Sequence, residues 1–275
     1  MTVTLVVFFI ATRFSSDYAF PKMIYRETFN GLSARKKRSF VNHHVLITAK
    51  ILMIALALYP YMRIILGLAD FSTSIVAGSE LTIGDITMIA TSIFVAVYLH
   101  ELLFLSSDVQ WVSVVHHLGA IIVACVMITL NVRWEHEPNT TAYTVLIMTY
   151  GFFDVLAGLW PRPVMVIRTV WPKKHHMNMW FCYAALALTV LGTIGETIVA
   201  MYLYGINFSA WPLSIQIVTP ICHVLFAVAQ GFSSKIMWDL GRKHQGQLDQ
   251  LGQCVRDTEL GNSSTQSQNI TKECV

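Results

Sequence analysis

The chain has 275 residues, of which 55% are hydrophobic and only 13% are charged, and its net charge is +3 at pH 7. Soluble domains contain about 25% charged residues, so this composition excludes an ordinary soluble protein and predicts an all-α polytopic membrane protein. The net charge is too small to indicate a nucleic-acid partner.

The N-terminal region combines a short apolar segment with a basic stretch. Residues 5–11 are apolar, but at about 1.5 Å per residue they are too few to cross roughly 30 Å of hydrocarbon. We predict a short seventh span here, either the remnant of a longer helix or a tilted entry helix. Residues 1–37 are therefore predicted as a short N-terminal apolar segment and a basic cytosolic loop.

Six longer apolar stretches follow, and each can cross a bilayer. Their predicted limits are about 45–67, 85–105, 110–132, 142–160, 179–204 and 210–238. Tryptophans fall near most of these limits, as expected of aromatic belts at the membrane interfaces. Beyond the last stretch the chain is rich in Gln, Ser, Thr and Asn, so residues 241–275 are predicted as a disordered cytosolic tail.

The charges of the connecting loops predict the orientation of the bundle. Basic residues are concentrated in the segments 13–42 and 161–178 and at the start of the tail, whereas the other charged loops are mainly acidic. By the positive-inside rule, the basic segments and the C-terminal tail are cytosolic. Two N-glycosylation sequons, at Asn139 and Asn207, fall on the opposite, lumenal side, and both are predicted to be glycosylated.

The adjacent histidines His116 and His117 lie inside the third long apolar stretch. Imidazoles at membrane depth are costly, so they usually face a bundle interior or a wet cavity and often mark a functional site. His100, Glu101 and Asp154 are predicted at the same depth, roughly 9 Å from the cytosolic ends of their helices. This coincidence favours a functional pocket. The alternative is that these side chains only join helices by hydrogen bonds.

The remaining intramembrane polar residues are interpreted as lying outside this pocket. His43 and His44 adjoin the basic stretch and are predicted at the membrane interface. Glu196 lies in the lumenal half of its helix. Since successive helical residues are about 100° apart, either His116 or His117 should face the pocket while the other flanks it or contacts a neighbouring helix.

Three short motifs carry a family resemblance. They are Val-His-His-Leu-Gly-Ala at 115–120, Val-Asn-His-His-Val at 41–45 and Tyr-Gly-Phe-Phe-Asp-Val at 150–155. They resemble the TLC-domain proteins, the membrane fold shared by ceramide synthases and several lipid-homeostasis proteins, and they imply a TLC-like transmembrane domain over residues 38–240. In the acyltransferase branch a Thr stands at the position of Ala120, so the chain diverges from that signature.

The resemblance implies a lipid-acting protein of the endoplasmic reticulum. The first hypothesis is acyl transfer from acyl-CoA to a lipid or amine acceptor. His116 or His117 would be a general base or transient acyl carrier, and Asp154 or Glu101 would fix its tautomer, with His100 in support. Acyl-CoA would be a co-substrate, and no other cofactor or metal ion is expected.

Other functions fit parts of the sequence. The same polar cluster in a non-enzymatic lipid-binding or transport protein, or in a regulator of membrane composition, would hold a lipid headgroup. A seven-span receptor fits the topology but lacks the Asp-Arg-Tyr and Asn-Pro-x-x-Tyr motifs, and a di-iron hydroxylase needs histidine boxes that are absent. Membrane lipids are the expected partners, and the sequence leaves the oligomeric state open, a homodimer included.

Overall fold

A computed structural model describes residues 1–16, 18–104, 111–132 and 140–261. These ranges contain nine α-helices and no β-strand. The helices are α1 (Thr2–Ser16), α2 (Ala19–Asn30), α3 (Ala34–Ile65), α4 (Ile83–Phe104), α5 (Trp111–Val132), α6 (Thr140–Leu159), α7 (Pro161–Val170), α8 (His175–Ile206) and α9 (Leu213–Gly261).

Six of the described helical stretches are long and apolar enough to cross a membrane. They comprise α3, α4, α5, α6 with its continuation α7, α8 and α9. The prediction of an all-α polytopic membrane protein with six long spans is therefore confirmed. Three of these helices, α3, α8 and α9, are longer than the predicted apolar stretches. Helix α3 begins at Ala34, where the Ser33 side chain accepts a hydrogen bond from the Lys36 amide at 3.5 Å.

Helix α1 extends beyond the apolar segment seen in the sequence. Its 15 residues span about 22 Å, still short of the roughly 30 Å of a hydrocarbon core. Its buried residue Ala11 lies on a helix that packs against α4 and α3, so α1 belongs to the bundle. A seventh crossing stays a prediction.

The C-terminal region differs from its prediction. Helix α9 continues without interruption to Gly261, so disorder from residue 241 is wrong for residues 241–261. This segment, although polar, contains many Gln, Leu and Arg residues, which favour helix, and no proline. Residues 262–275 lie outside the described residues.

Helix α4 is the central helix of the bundle. Within an apolar 18-residue stretch of α4, 61% of the residues are buried, whereas in the corresponding stretch of α9 only 17% of the residues are buried. Large apolar side chains on α5, α8 and α9 are exposed, including Ile122, Leu191 and Val224. Polar groups on α4 are therefore enclosed by protein, whereas the outer helices present hydrocarbon to the surroundings.

Helix α7 closes one end of the bundle, where a loop over residues 161–178 was predicted. Pro161 occupies its first turn, where the missing amide hydrogen costs nothing. Its Val166 packs against a cluster that contains Phe40 of α3, and its Val164 belongs to a cluster that contains Cys182 of α8. We call this the α7 end of the bundle; α3 and α8 begin there.

Helix α9 contains an internal proline near the opposite end. Pro220 has no amide hydrogen to donate to the carbonyl oxygen of Gln216, four residues earlier. The hydroxyl of Tyr204 on α8 donates to that oxygen instead, at 2.8 Å. A side chain of α8 thus supplies the hydrogen bond that the proline cannot make.

Close packing of α6 on α8 depends on Gly192. A Cβ at this position would lie 3.2 Å from the Cβ of Ala157, whereas a Cβ at Gly205 would meet nothing within 4 Å. Because Ala157 Cβ is fixed to its backbone, Gly192→Ala should force the helices apart and lower the free energy of unfolding by about 1–3 kcal/mol. Gly205→Ala should be neutral or stabilising by up to about 1 kcal/mol. Denaturant unfolding of both purified variants in detergent tests this, and equal effects would contradict it.

Candidate functional site

The two adjacent histidines point to different helices at the α7 end. His116 Nε2 lies 3.1 Å from Asp154 Oδ1 on α6, and His117 Nε2 lies 3.2 Å from Glu101 Oε2 on α4. This divergence follows from the angle of about 100° between successive helical residues. The structure therefore brings together His116, His117, Asp154 and Glu101, as the sequence predicts.

Tyr98 joins the two histidine–carboxylate pairs. Its hydroxyl donates a short hydrogen bond to Asp154 Oδ2, so both oxygens of that carboxylate have a partner. Its ring stacks on His117, with ring centroids 4.4 Å apart and an interplanar angle of 19°. The sequence analysis missed Tyr98, because a Tyr in an apolar helix looks like an ordinary core residue.

Glu101 binds a second cation from α7. Arg162 Nη2 lies 2.9 Å from Glu101 Oε1, while the other carboxylate oxygen faces His117. The sequence analysis counted Arg162 only as a basic loop residue. Its place in the first turn of α7 turns its guanidinium towards the bundle interior.

Lys50 is a buried cation on α3 that the sequence analysis also missed. Its Nζ donates to the main-chain oxygen of Asp154 at 3.5 Å and lies 5.7 Å from the centre of the Tyr98 ring. A Cβ on Gly158 would lie 2.8 Å from Nζ, so a larger residue there would require the end of the lysine side chain to move. The available signal was a Lys inside an apolar stretch, which is rare unless functional.

A polar cavity of about 220 Å³ lies between these groups. Such a volume holds several water molecules or a small polar group. His43 also lines the cavity, although the sequence analysis placed it outside the pocket. The polar lining residues are His43, Lys50, Tyr98, Ser113, His116, His117, Asp154, Arg162, Thr189, Gln230 and Ser233.

An apolar cavity of about 80 Å³ adjoins the polar one. Asp154 and residues of α3, α4, α5 and α6 line it, among them Met53, Phe94 and Ala120. Asp154 borders both cavities, so its carboxylate side chain lies where polar and apolar surfaces meet.

His100 does not join the cavity. It is buried on α4 against α1, where Thr12 Oγ1 lies 3.4 Å from His100 Nδ1 and the Phe8 ring contacts it edge-on. His100 therefore lies away from the pocket that it was predicted to support. Its neighbour Glu101 points to the cavity side because one residue along a helix changes the direction by about 100°.

Glu196, set apart in the sequence analysis, has an indirect connection to the cavity. Its buried carboxylate accepts a hydrogen bond of 2.6 Å from Gln230 Nε2, and Gln230 lines the polar cavity. Gln230 in turn accepts a short hydrogen bond from Thr193. Further along, Thr197 Oγ1 lies 3.3 Å from His223 Nε2. A file of polar groups thus runs between α8 and α9.

One of the two predicted glycosylation sites, Asn139, lies outside the described residues. Asn207 follows α8 and is partly buried, with its Nδ2 donating to the Leu203 carbonyl at 3.0 Å.

Within the described ranges, no three His, Cys, Asp or Glu side chains lie close enough to hold a metal ion.

The geometry of His116 suits proton transfer, because its Nε2 is within hydrogen-bond distance of Asp154. When Nε2 donates its hydrogen to the carboxylate, Nδ1 carries the lone pair and can act as a base. Nδ1 of His116 and Nδ1 of His117 are buried and have no hydrogen-bond partner among the described residues. Buried polar atoms without partners are costly, so a donor that reached either nitrogen would be bound favourably.

No family model, curated protein or solved structure matches this chain significantly. Its resemblance to TLC-domain proteins therefore rests on the three sequence motifs and remains a prediction.

The buried pairs should contribute much more to stability than an exposed pair. Asp154→Ala leaves His116 and Tyr98 without their acceptor and should lower the free energy of unfolding by about 3–5 kcal/mol. Asp239→Ala removes an exposed partner of Lys235 and should cost less than about 1 kcal/mol. Unfolding of both variants in mixed micelles gives the comparison. Similar losses would show that Asp154 is not a structural centre.

Proposed function

We propose that this chain is a TLC-type membrane protein of the endoplasmic reticulum that transfers an acyl group from acyl-CoA to a lipid or amine acceptor. The observation that supports this most directly is the cavity lined by both carboxylate-bound histidines. A histidine held by a carboxylate, with its other nitrogen unpartnered, is the arrangement expected of a general base.

In this proposal His116 is the base and Asp154 fixes its tautomer. The acceptor N–H or O–H would lose its proton to Nδ1 of His116 while its heteroatom attacks the thioester carbonyl. The C–S bond of acyl-CoA would then break, and the imidazolium would return the proton to the leaving thiolate. Asp154 would stabilise the imidazolium through the contact at 3.1 Å.

The second pair has a different role in this mechanism. His117 is held between Glu101 and the Tyr98 ring, and Glu101 is also bound by Arg162. These contacts hold the His117 ring in the wall of the cavity, so we assign it to shaping the substrate site rather than to proton transfer. The sequence motifs support acyl transfer for the pair as a whole.

We assign the α7 end to the cytosolic side. The basic residues at this end include Arg35, Arg38, Arg168 and Lys174, whereas the loop after α3 carries Asp70 and Glu80. The positive-inside rule then places the polar cavity near the cytosolic leaflet, where acyl-CoA is available. The acceptor would enter laterally from the membrane.

This orientation predicts the accessibility of tags in sealed microsomes. A protease added outside should remove a C-terminal epitope tag and leave a tag inserted at Gly78 intact, because the membrane protects the lumenal loop. Detergent should expose both tags. The reverse pattern would place the cavity on the lumenal side and exclude direct access of cytosolic acyl-CoA.

The proposed base gives a direct activity test. His116→Ala should lower acyl transfer from labelled acyl-CoA at least about 100-fold, the range for loss of a general base. His176→Ala is the matched control, because His176 is exposed near the start of α8 and should leave the activity unchanged. Activity that survives the double change of His116 and His117 to alanine would overturn the proposal.

A second candidate function is non-enzymatic lipid binding or transport that influences membrane composition. Ala120, in place of the threonine of the acyltransferase signature, favours it. The same cavities would then hold a lipid without turnover. Lipid that co-purifies with the protein, together with no product from any acyl donor, would support this function over acyl transfer.

A further inference from the structure

The ammonium group of Lys50 is buried, and among the described residues it has no close counter-ion. Lys50 is 2% exposed, and a charge at this depth normally needs a close counter-ion. Among the described residues, Nζ makes one hydrogen bond, of 3.5 Å, to the uncharged main-chain oxygen of Asp154. An ammonium group has three donors, so at least two have no acceptor within the described ranges.

The neighbouring carboxylates are already engaged. Asp154 uses one oxygen for His116 and the other for Tyr98, and Glu101 faces His117 and Arg162. Within the described ranges Lys50 forms no salt bridge within 4.0 Å. An acceptor for Lys50 would therefore have to come from the cavity that it lines.

The position of Lys50 is built into the fold. Gly158 leaves space that any Cβ would take from Nζ. Arg162 and His43 line the same cavity, and the Arg162 side chain is 24% exposed, so the polar cavity offers several further donors to an incoming group. Donors that converge on one cavity, one of them a fixed buried ammonium, suit an anion.

The same face of α3 continues into the apolar cavity. Met53, Ile54 and Ala57 follow Lys50 at spacings of three, four and seven residues, which place them on one side of a helix, and all three line the apolar cavity. A molecule whose head contacts Lys50 would thus extend its hydrocarbon along α3, past Asp154. The apolar cavity that Asp154 borders thus offers a place for one hydrocarbon chain.

We propose that the two cavities form one site for a single-chain lipid with an anionic head, a carboxylate or a phosphate, and that Lys50 is its anchor. The inference rests on the proposed function in that it assigns the lipid of that same site. Under acyl transfer the acceptor would be an anionic single-chain lipid that also carries a free hydroxyl or amine, as lysophosphatidate does, whereas a simple fatty carboxylate could bind but not accept the acyl group.

Direct binding tests the proposal without any acyl donor. The purified full chain, in phosphatidylcholine nanodiscs, is titrated with oleate, oleoyl lysophosphatidate and the neutral analogue oleyl alcohol. Wild type should bind at least one anionic lipid about tenfold or more tightly than the alcohol, as expected for a hydrogen bond to a charged group. The relative affinity of oleate and lysophosphatidate decides between a carboxylate and a phosphate head.

Two variants assign the preference to Lys50. Lys50→Met should bind the anionic lipid no better than the alcohol, whereas Lys235→Met, an exposed lysine on α9, should bind as wild type does. Gly158→Ala keeps the charge but displaces Nζ, so it should also weaken the preference. Gly231→Ala is its control, because a Cβ there meets nothing within 4 Å. Each variant is first checked for monodispersity and thermal stability.

The outcomes separate this inference from acyl transfer. Equal binding of oleate, lysophosphatidate and alcohol to wild type, or an unchanged preference in a folded Lys50→Met protein, overturns the anion anchor. Acyl transfer to neutral acceptors that is insensitive to Lys50→Met would overturn it and leave the proposed reaction standing. Lys50-dependent binding without any transfer would support the anchor and favour the lipid-binding function.

Discussion

Asp154 is the residue on which the arrangement of the central helices depends. Its carboxylate oxygens bind His116 of α5 and Tyr98 of α4, and its main-chain oxygen accepts from Lys50 of α3. One residue of α6 therefore fixes three neighbouring helices at one depth. Asp154, Tyr98 and Lys50 are buried, so a shift of one helix relative to the others would leave a charge or dipole without its partner, at a high cost in free energy.

Glu101 extends this constraint to the end of the bundle. By binding both His117 and Arg162, it ties α5 and the short helix α7 to the buried helix α4. Buried ionic groups add little net stability compared with apolar packing, but the loss of one partner is costly. The network therefore mainly specifies one arrangement of these helices. Its directional contacts hold the walls of the polar cavity apart.

The sequence predicted which residues form this site better than it predicted the contacts between them. Unusual residues in apolar stretches, together with helix lengths, placed His116, His117, Glu101 and Asp154 at one depth. Depth along a helix follows from residue count, but the direction of a side chain depends on how each helix is rotated in the bundle, and this put Glu101 inside and His100 against α1. The sequence analysis missed three residues of the site, Lys50, Tyr98 and Arg162. A basic residue near a predicted helix end, or a tyrosine in an apolar helix, is common in membrane proteins without any functional role.

The proline in α9 makes one turn of that helix depend on α8. Pro220 cannot donate to the carbonyl oxygen of Gln216, and Tyr204 of α8 supplies the missing donor at 2.8 Å. A hydrogen bond between two helices thus replaces one that other residues of α9 make within their own backbone. The place of α9 beside α8, and with it the Gln230 side of the polar cavity, is therefore coupled to a side chain of the neighbouring helix.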